Sequence, residues 1–489
     1  MTVEIADLVI SGGLVVAFDC EQHRYLEAGS IAIAGDRILS VGRDFAGQAR
    51  RRIDARGLIA IPGQISTHAH IGAHEGPRLL VDGGRREFVR SSFLHFLPQN
   101  RVGRPGFLAP QDARASLRYG FASLLRHGVT TVVAFAPAGP RDGEMMLETA
   151  REFGIRLVWS PVVTGGRYWL EEDGKVSSEL DTKAGFQSLE ATARFIERLP
   201  KAADARVSGL VALDEYYLST PELRKEAKKV ADALDVPFTL HFVEQHREFY
   251  ETMGQTGLTP VQCLAQEGIL DAGTILAHCV YISTHSAIGY PVEDDIAILG
   301  AAGVNVAHSP VAFARRGIAL ESFDRFRRAG VNVALATDTY PLDMFAEMRM
   351  ASLMNKLADG NFEAGAAADV FRASNLAGAS ALARPDLGRL QPGAKADIVL
   401  VDPRSLSFGA NPDPIRALVH LAGPDRVSSV IVDGKVLVED GRLLVADEAE
   451  ILAEVAASSR AVWDAHPSHD ILGRTVSERF PPSLPLWAE

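Results

Sequence analysis

The chain has 489 residues, of which 47% are hydrophobic, and its 50 basic and 62 acidic side chains give a net charge of −12. This length exceeds what one simple core organises and predicts one large domain with a smaller one beside it. The acidic excess, without any basic cluster, argues against a nucleic-acid partner and against binding to anionic membranes, and leaves a small molecule as the expected partner.

The cysteines and the N-terminal residues indicate the cellular compartment. Cys20, Cys263 and Cys279 are far apart and form no Cys-x-x-Cys pair, which argues against a disulfide framework and fits a reducing environment. Glu4 and Asp7 stand where a secretory leader needs basic residues. No apolar run approaches the roughly 18 residues of a membrane span. We therefore expect a cytoplasmic protein.

Both ends of the chain are predicted to be rich in β-strands. The segment from Ile31 to Val41 predicts two strands around a Gly-Asp turn, and the segment from Val430 to Val438 predicts a hairpin around an Asp-Gly turn. Two such pieces can form one small domain. We predict a composite β-sandwich domain from residues 1–57 and 388–445, a barrel domain over 58–387, and a C-terminal helix and tail over 446–489.

The middle of the chain alternates apolar segments with helix-like segments. The eight apolar segments have the continuous character of parallel strands buried on both faces. They end near Ala69, Phe135, Ser160, Asp214, His241, His278, His308 and Asp338. Helix boundaries are marked in between, as by Thr220-Pro221, which predicts an N-cap with proline in the first turn. The pattern predicts an α/β fold of the (β/α)8 TIM-barrel type.

Polar residues at the predicted strand ends point to a metal site. His68 and His70 are two positions apart in an extended strand, so both imidazoles face one way. Such a pair alone is weak evidence, because hydrogen-bonded histidines are common. Further strand ends carry acids or histidines, and in barrels of this type the C-terminal strand ends form the active site. These residues are Asp214, His241, His278, His308 and Asp338.

We expect one metal ion to be bound by His68, His70, His241 and Asp338. Three neutral imidazoles and one carboxylate suit Zn²⁺, with Fe²⁺, Mn²⁺ or Co²⁺ as alternatives. A water would complete the site, and the metal would lower its pKa towards about 7. The competing interpretation is that such a residue only forms hydrogen bonds within the barrel. This interpretation could explain any one of the four residues, but it explains all four together much less well.

Three further residues are candidates for catalysis or substrate contact. Glu244, three residues after His241, can take a proton from the metal-bound water and pass it to a leaving nitrogen; the alternative is a surface or helix-terminal glutamate. A neutral His278 can polarise the substrate or stabilise an oxyanion; the alternative is support of a neighbouring ligand. For His308, substrate contact and barrel packing remain equal alternatives.

These residues carry a family resemblance. The chain resembles the amidohydrolase superfamily, specifically its cytosine-deaminase-like and triazine-hydrolase-like (chlorohydrolase) branch. The resemblance runs in order from about Ala6 to Gly441. The matching segments begin at Pro62 (PGQISTHAH), His241 (HFVE), Ala277 (AHCV), Ala307 (AHSP), Thr337 (TD) and Leu387 (LGRLQPGAKADIV).

The resemblance implies a barrel with a composite β-sandwich and one metal per subunit on the four residues named above. It assigns Glu244 as proton shuttle, His278 as electrophilic helper, and Asp338 as a second group that accepts a proton from the attacking water. Dinuclear relatives carry a lysine on the fourth strand, and the segment from Ser208 to Tyr216 has none. The resemblance also implies a homodimer or a larger homo-oligomer.

The chain departs from the branch where substrates bind. Relatives that deaminate purine-like rings have a histidine after strand four, and here Asp214 takes its place. An acid in the pocket suits an amino, amidine or N–H donor group on the substrate. We expect His74, Tyr217 and Tyr340 beside Asp214 and His308 as substrate-binding residues.

Three functions compete. The leading hypothesis is a metal-dependent hydrolase of carbon–nitrogen bonds, in which metal-bound hydroxide displaces the amino group of an N-heterocycle. The second is hydrolysis of a urea, carbamate or amide at the same site, where Tyr216, Tyr217, Tyr340 and Phe313 would accept an aryl group. The third is a non-catalytic relative that keeps the fold as a scaffold, which the presence of all four expected ligands and Glu244 argues against.

Overall fold

The computed structural model describes residues 5–72, 112–136, 140–171, 175–200, 206–289, 295–321, 323–410, 412–470, 472–485 and 487. The strands, in chain order, are β1 (Ile5–Phe18), β2 (His23–Ala34), β3 (Arg37–Gly42), β4 (Gln48–Asp54), β5 (Ile59–Pro62), β6 (Gln64–Ala69), β7 (Val129–Ala134), β8 (Arg156–Val158), β9 (Gly166–Leu170), β10 (Val176–Leu180), β11 (Val207–Ser208), β12 (Val211–Glu215), β13 (Phe238–Phe242), β14 (Thr274–His278), β15 (Asn305–His308), β16 (Asn332–Leu335), β17 (Ile398–Val401), β18 (Val427–Val432), β19 (Lys435–Glu439) and β20 (Arg442–Leu443).

The helices surround these strands. In chain order they are α1 (Ala113–Arg126), α2 (Pro140–Phe153), α3 (Thr182–Glu197), α4 (Pro221–Leu234), α5 (His246–Thr256), α6 (Pro260–Gln266), α7 (Asp295–Ala302), α8 (Pro310–Ala314), α9 (Phe323–Arg328), α10 (Met344–Asp359), α11 (Ala367–Ala373), α12 (Leu376–Ala381), α13 (Pro414–Leu421), α14 (Glu448–His469) and α15 (Val476–Arg479). Within the described residues, no helix is both long and apolar enough to cross a membrane.

One nine-stranded sheet contains strands from both chain ends. Its order is β20-β19-β18-β17-β5-β1-β2-β3, with β4 paired to β1. The antiparallel pairing of β17 with β5 joins the two ends directly. Both predicted hairpins are confirmed, and Asp433 and Gly434 in the second turn have φ of +48° and +73°, as a tight hairpin turn requires. The domain boundaries themselves remain predictions.

The predicted barrel strands form two parallel sheets. One has the strand order β11-β8-β7-β6, and the other has the order β12-β13-β14-β15-β16. Two hydrogen bonds join the last strand region to the first: Asp338 N–H donates to the His68 carbonyl (2.9 Å), and His70 N–H donates to the Asp338 carbonyl (2.6 Å). The strands β6, β7, β13, β14 and β15 are buried along their whole length. The fold is therefore of the TIM-barrel type, with helices packed outside the parallel strands.

Local sequence signals explain several element boundaries. The Thr220 hydroxyl caps α4 by accepting from Leu223 N–H at 3.3 Å, and Pro221 begins the helix, as predicted. The predicted C-terminal helix is present as α14, from Glu448 to His469. The hairpin of β9 and β10 between the third and fourth barrel strands was not predicted, because its residues alternate without a buried apolar face.

A buried ion network connects the barrel to the nine-stranded sheet. Arg156 on β8 lies 3.2 Å from Asp397, at the start of β17, and also pairs with Asp433. Arg156 and Asp397 are almost fully buried. Buried charges of this kind are stable only when paired and hydrogen-bonded, so the network fixes how the two sheets meet.

Candidate metal centre

Three imidazoles converge at the C-terminal ends of the barrel strands. His68 on β6 and His70, directly after β6, place their Nε2 atoms 3.3 Å apart, and His70 Nε2 lies 3.1 Å from Nε2 of His241 on β13. His68 is fully buried, whereas 23% of the His70 side chain is exposed. The alternation of β6 therefore delivers both histidines to one face, as the sequence predicts.

Asp338 brings a carboxylate to the same point. Its Oδ1 lies 3.5 Å from His70 Nε2 and 3.7 Å from His68 Nε2. The residue follows β16 with φ of +49°, a strained conformation for a side chain other than glycine. Its two backbone hydrogen bonds to the first strand hold that conformation, so the carboxylate position is fixed by the barrel rather than by a free loop.

The spacing of these atoms fits a bound ion better than it fits hydrogen bonds. Ligands at about 2.0–2.1 Å from a tetrahedral Zn²⁺ lie roughly 3.3 Å from one another. In two groups of three residues, all the ligand atoms lie within 4.8 Å of one another: His68 with His241 and His278, and His68 with His70 and Asp338. Together the two groups contain all four predicted ligands and add His278 as a close neighbour.

Two of the clustered imidazoles, those of His68 and His278, have a lowered pKa that favours the neutral, metal-binding form. Burial, and then the neighbouring His241, lower the pKa of His68 to about 3, against the opposing effect of Asp338. Burial, followed by His68 and His241, lowers the pKa of His278 well below its usual value. A metal ligand must be deprotonated, so these two side chains need no proton loss at neutral pH.

The neighbouring strand orients His241. Its Nδ1–H donates to the backbone carbonyl of Asp214 at 2.5 Å, which leaves Nε2 to face His70. A register shift between Leu213 and Glu215 on β12 accompanies this contact. Phe135 packs edge-on against the His241 ring, with centroids 4.2 Å apart. Hydrogen bonding of the distal nitrogen is the usual way in which proteins fix a ligand histidine.

Glu244 lies on the His278 side of the cluster. Its Oε2 is 3.8 Å from His278 Nε2 and 3.7 Å from Arg316 Nη1, and the residue is 6% exposed. The carboxylate of Glu248 accepts hydrogen bonds from the N–H groups of Val243 and Gln245, each at 3.1 Å. Val243 has φ of +43°, so Glu248 holds a strained turn that presents Glu244.

The predicted substrate residues have different surroundings. Burial, then the nearby Glu244, raise the pKa of Asp214, against an opposing effect of His241. Tyr217 stacks on Tyr168 at 5.8 Å, and Arg247 lies over its ring. The Tyr340 carbonyl accepts from Arg315 at 2.7 Å. His74 lies outside the described residues.

His308 and Tyr216 lie in packing environments. His308 is buried, and its ring lies 5.8 Å from that of Phe323. Tyr216 packs against Phe242, with the Arg224 guanidinium 4.4 Å from its ring. The contact with Phe323 favours a packing role for His308, and its role in substrate binding stays a prediction. The contacts of Tyr216 place it in the layer between strands and helices.

Sequence reasoning assigned no role to three residues near the site. Arg316 lies beside Glu244, Phe135 packs on His241, and Tyr168 on β9 covers Tyr217. Phe135 ends the second predicted strand, and this position at a strand end could have predicted its place beside the site. The other two depend on loop and hairpin geometry, which the sequence pattern does not specify.

A separate cavity of about 530 Å³ lies on the nine-stranded sheet. Its lining includes Gly13, Glu27, Arg404, Phe408 and Ala417. None of the clustered histidines or acids lines it. The chemistry therefore belongs to the strand-end cluster rather than to this cavity.

Known proteins are similar to this chain over most of its length. The model of the Amidohydrolase family matches residues 59–437. A 5-methylthioadenosine/S-adenosylhomocysteine deaminase of Pelotomaculum thermopropionicum is 28% identical over 94% of this chain and 99% of its own length. A 5′-deoxyadenosine deaminase of Methanothermobacter thermautotrophicus is 29% identical over 88% of this chain and 95% of its own.

A solved structure is also similar over most of this chain. The atrazine chlorohydrolase of Arthrobacter aurescens TC1, complexed with zinc, superposes with a TM-score of 0.75 at 25% identity, over 92% of this chain and all of the other. The fold and the cluster of metal-ligating side chains define a metal-dependent hydrolase. The chain belongs to the Amidohydrolase family.

Proposed function

We propose that this protein hydrolytically deaminates an amino-substituted N-heterocycle, with Zn²⁺ held by His68, His70, His241 and Asp338. The observation that carries the proposal is the position of Glu244, 3.8 Å from His278 at the edge of the histidine cluster. A buried carboxylate next to a metal centre is the arrangement needed to move a proton between an attacking water and a leaving nitrogen.

Each residue then has a distinct role. When bound, Zn²⁺ supplies Lewis-acid activation of the attacking water. Glu244 takes a proton from that water and delivers it to the ring nitrogen beside the amino-bearing carbon, and Asp338 accepts the second proton. Neutral His278 donates a hydrogen bond to the attacking oxygen, which gives up both of its protons as it becomes bonded to the ring carbon. Asp338 passes its proton to the amino group, which leaves as ammonia, and the oxygen becomes the ring carbonyl.

The relatives support a small heterocyclic substrate. Two of them carry names that describe deamination of adenine-containing nucleosides. Asp214, whose pKa burial raises, offers an acceptor or a protonated donor to an amino or ring N–H group. Hydrolysis of an acyclic urea, carbamate or amide is the competing outcome, and it would split the substrate instead of exchanging one substituent.

The test is the substitution Glu244→Gln in zinc-loaded protein. We expect kcat to fall by about 10²–10⁴-fold with zinc retained, because the amide cannot carry the proton. The matched control is Glu251→Gln on α5, whose side chain is 44% exposed and should leave kcat unchanged. Unchanged activity of the Glu244 variant would remove the shuttle from the proposal.

Three wider features are also proposed. Residues 1–57 and 388–445 form one composite domain, the subunit assembles into a homodimer or a larger homo-oligomer, and the protein is cytoplasmic. The joint sheet of β1 to β5 with β17 to β20 supports the first of these. Limited proteolysis, sedimentation velocity and cell fractionation test the three separately.

A further inference from the structure

A cation lies beside Glu244 and has no assigned role. Arg316 follows α8, in the segment after β15, and its Nη1 lies 3.7 Å from Glu244 Oε2. Only 15% of the Arg316 side chain and 5% of the Glu244 side chain are exposed. Charges that are removed from water in this way attract each other more strongly than an exposed pair does. The contact can therefore fix the position of a side chain.

Arg316 is also packed against the wall of the histidine cluster. Its guanidinium carbon lies 5.2 Å from the centroid of the Phe313 ring, as in a cation–π contact. The Phe313 ring centroid lies 4.9 Å from that of His278, and His278 Nε2 lies 3.8 Å from Glu244 Oε2. The contacts thus lead from Arg316 through Phe313 to His278 and back to Glu244, so the guanidinium has a defined place.

The Glu244 carboxylate depends on a charged neighbour for its position. In the part of the chain that the structure describes, neither of its oxygens accepts a hydrogen bond, and its contacts with Arg316 and His278 exceed hydrogen-bond length. Burial lowers the pKa of His278 well below its usual value, so this imidazole is neutral in neutral solution. Arg316, whose guanidinium stays protonated, then supplies the positive charge next to Glu244.

Two other acids make this charge necessary. Glu215 at the end of β12 and Glu248 in the first turn of α5 are both buried. Burial, followed by the charge of Glu244, raises the pKa of both carboxyls. A buried carboxylate among other acids is stable only when a cation or hydrogen bonds compensate its charge. Among the described residues, no arginine or lysine other than Arg316 forms an ion pair with Glu244.

The adjacent arginine has a different contact. Arg315 donates a hydrogen bond to the Tyr340 carbonyl at 2.7 Å, and its guanidinium carbon lies 5.6 Å from the centroid of the Tyr340 ring. Arg315 therefore holds the loop that carries Tyr340. Of the two neighbouring arginines, Arg316 is the one that faces Glu244.

We propose that Arg316 is a positioning residue that holds the Glu244 carboxylate beside His278. This inference rests on the proposed role of Glu244 as proton shuttle, and it adds the residue that keeps the shuttle in place. Arg316 acts through Glu244 and not on the reacting atoms. The competing roles are a direct contact with the substrate and a packing contact with Phe313 alone.

Crystal structures of zinc-loaded protein measure the position of Glu244 directly. The variants are Arg316→Gln and Arg316→Met, which remove the charge, and Arg316→Lys, which keeps it. Methionine also keeps an apolar stem for the contact with Phe313. We expect the Glu244 carboxylate to stay within about 4 Å of His278 Nε2 in wild type and in Arg316→Lys. It should move by about 1 Å or more in the two uncharged variants. An unchanged Glu244 position in both uncharged variants would overturn the proposal.

Kinetic measurements show whether Arg316 acts through Glu244. Ammonia release from cytosine, adenosine and melamine is measured for wild type, the Arg316 variants, Glu244→Gln, and the double variant of Arg316→Gln with Glu244→Gln. We expect Arg316→Gln to lower kcat by about 10- to 100-fold with KM unchanged, and Arg316→Lys to recover most of that loss. In the Glu244→Gln background, Arg316→Gln should change kcat by less than about 2-fold, because no carboxylate is left to position. Losses that multiply in the double variant, or a raised KM with a normal kcat, would contradict the proposal.

The structural measurement keeps this test separate from the proposed function. If wild type releases ammonia from none of the three rings, the proposed deamination fails for them, and the position of Glu244 in the variants still decides the role of Arg316. The control is Arg194→Gln on α3, which replaces an arginine with a 62% exposed side chain and should match wild type in both measurements. Zinc content and Tm establish that each variant is folded and loaded.

Discussion

The Nδ1–H of His241 donates to the backbone carbonyl of Asp214 at 2.5 Å, across neighbouring barrel strands. This contact fixes the tautomer and the rotation of the ring, so Nε2 faces His70 and the centre of the cluster. The backbone of Asp214 thus orients His241, and we propose that its side chain meets the substrate. On that proposal, one residue links the geometry of the candidate metal centre to substrate recognition.

His241→Ala should weaken zinc binding by at least about 100-fold, because it removes a ligand rather than a residue that supports one. The measurement is competitive titration of zinc against a chelator, together with the Tm gained on adding zinc. The control is His308→Gln, which should retain zinc because His308 packs against Phe323. Equal zinc affinity in wild type and the His241 variant would show that His241 is no ligand.

Glu248→Gln should lower kcat by about 10- to 100-fold while zinc stays bound. Both oxygens of this carboxylate accept backbone N–H groups, and an amide offers one acceptor and one donor. The strained Val243 turn would then release Glu244 from its place beside His278. Steady-state kinetics and metal analysis check this, and a normal kcat would show that the turn holds without Glu248.

Arg156→Gln should destabilise the protein by about 3–5 kcal/mol, since it leaves Asp397 buried without its cation, whereas Asp433 keeps Arg206 and Lys395. Urea unfolding measures the change. Arg194→Gln, which breaks an exposed pair with Glu190, should cost less than about 0.5 kcal/mol. Similar small losses in both variants would mean that the network contributes little to stability.

His23 should make stability depend on pH below about 6.5. Its ring packs between Phe18 and Phe371, and burial lowers its pKa to about 4. Between pH 6.5 and 4 the unfolded chain therefore binds the proton first, and stability falls as pH falls. His23→Phe should remove about 2 kcal/mol of the loss between pH 7 and pH 5. Parallel pH profiles of wild type and variant would contradict this assignment.

The sequence predicts most of the fold because its signals are local. Alternation places His68 and His70 on one face, an Asp-Gly pair predicts the hairpin at Asp433, and apolar runs predict the barrel strands. Each of these depends on a few consecutive residues. The grouping of the candidate metal ligands follows from them, because parallel strands bring their C-terminal ends together.

The remaining features depend on contacts between distant segments. The hairpin of β9 and β10 has no buried alternation, so Tyr168 could not be placed over Tyr217. Arg316 approaches Glu244 only because α8 ends where it does, and the sequence does not distinguish it from Arg315. The hydrogen bond from His241 to the Asp214 backbone is likewise invisible to reasoning from side-chain types.

The most direct test of the deaminase account is mass spectrometry of the products made by zinc-loaded wild-type protein. The substrates are amino-substituted pyrimidines, purines, pterins and triazines beside aryl ureas, carbamates and amides. The account predicts that a ring amino group is exchanged for oxygen, with ammonia released and the ring intact. Cleavage of a urea, carbamate or amide into two fragments, with every ring amine untouched, would contradict it.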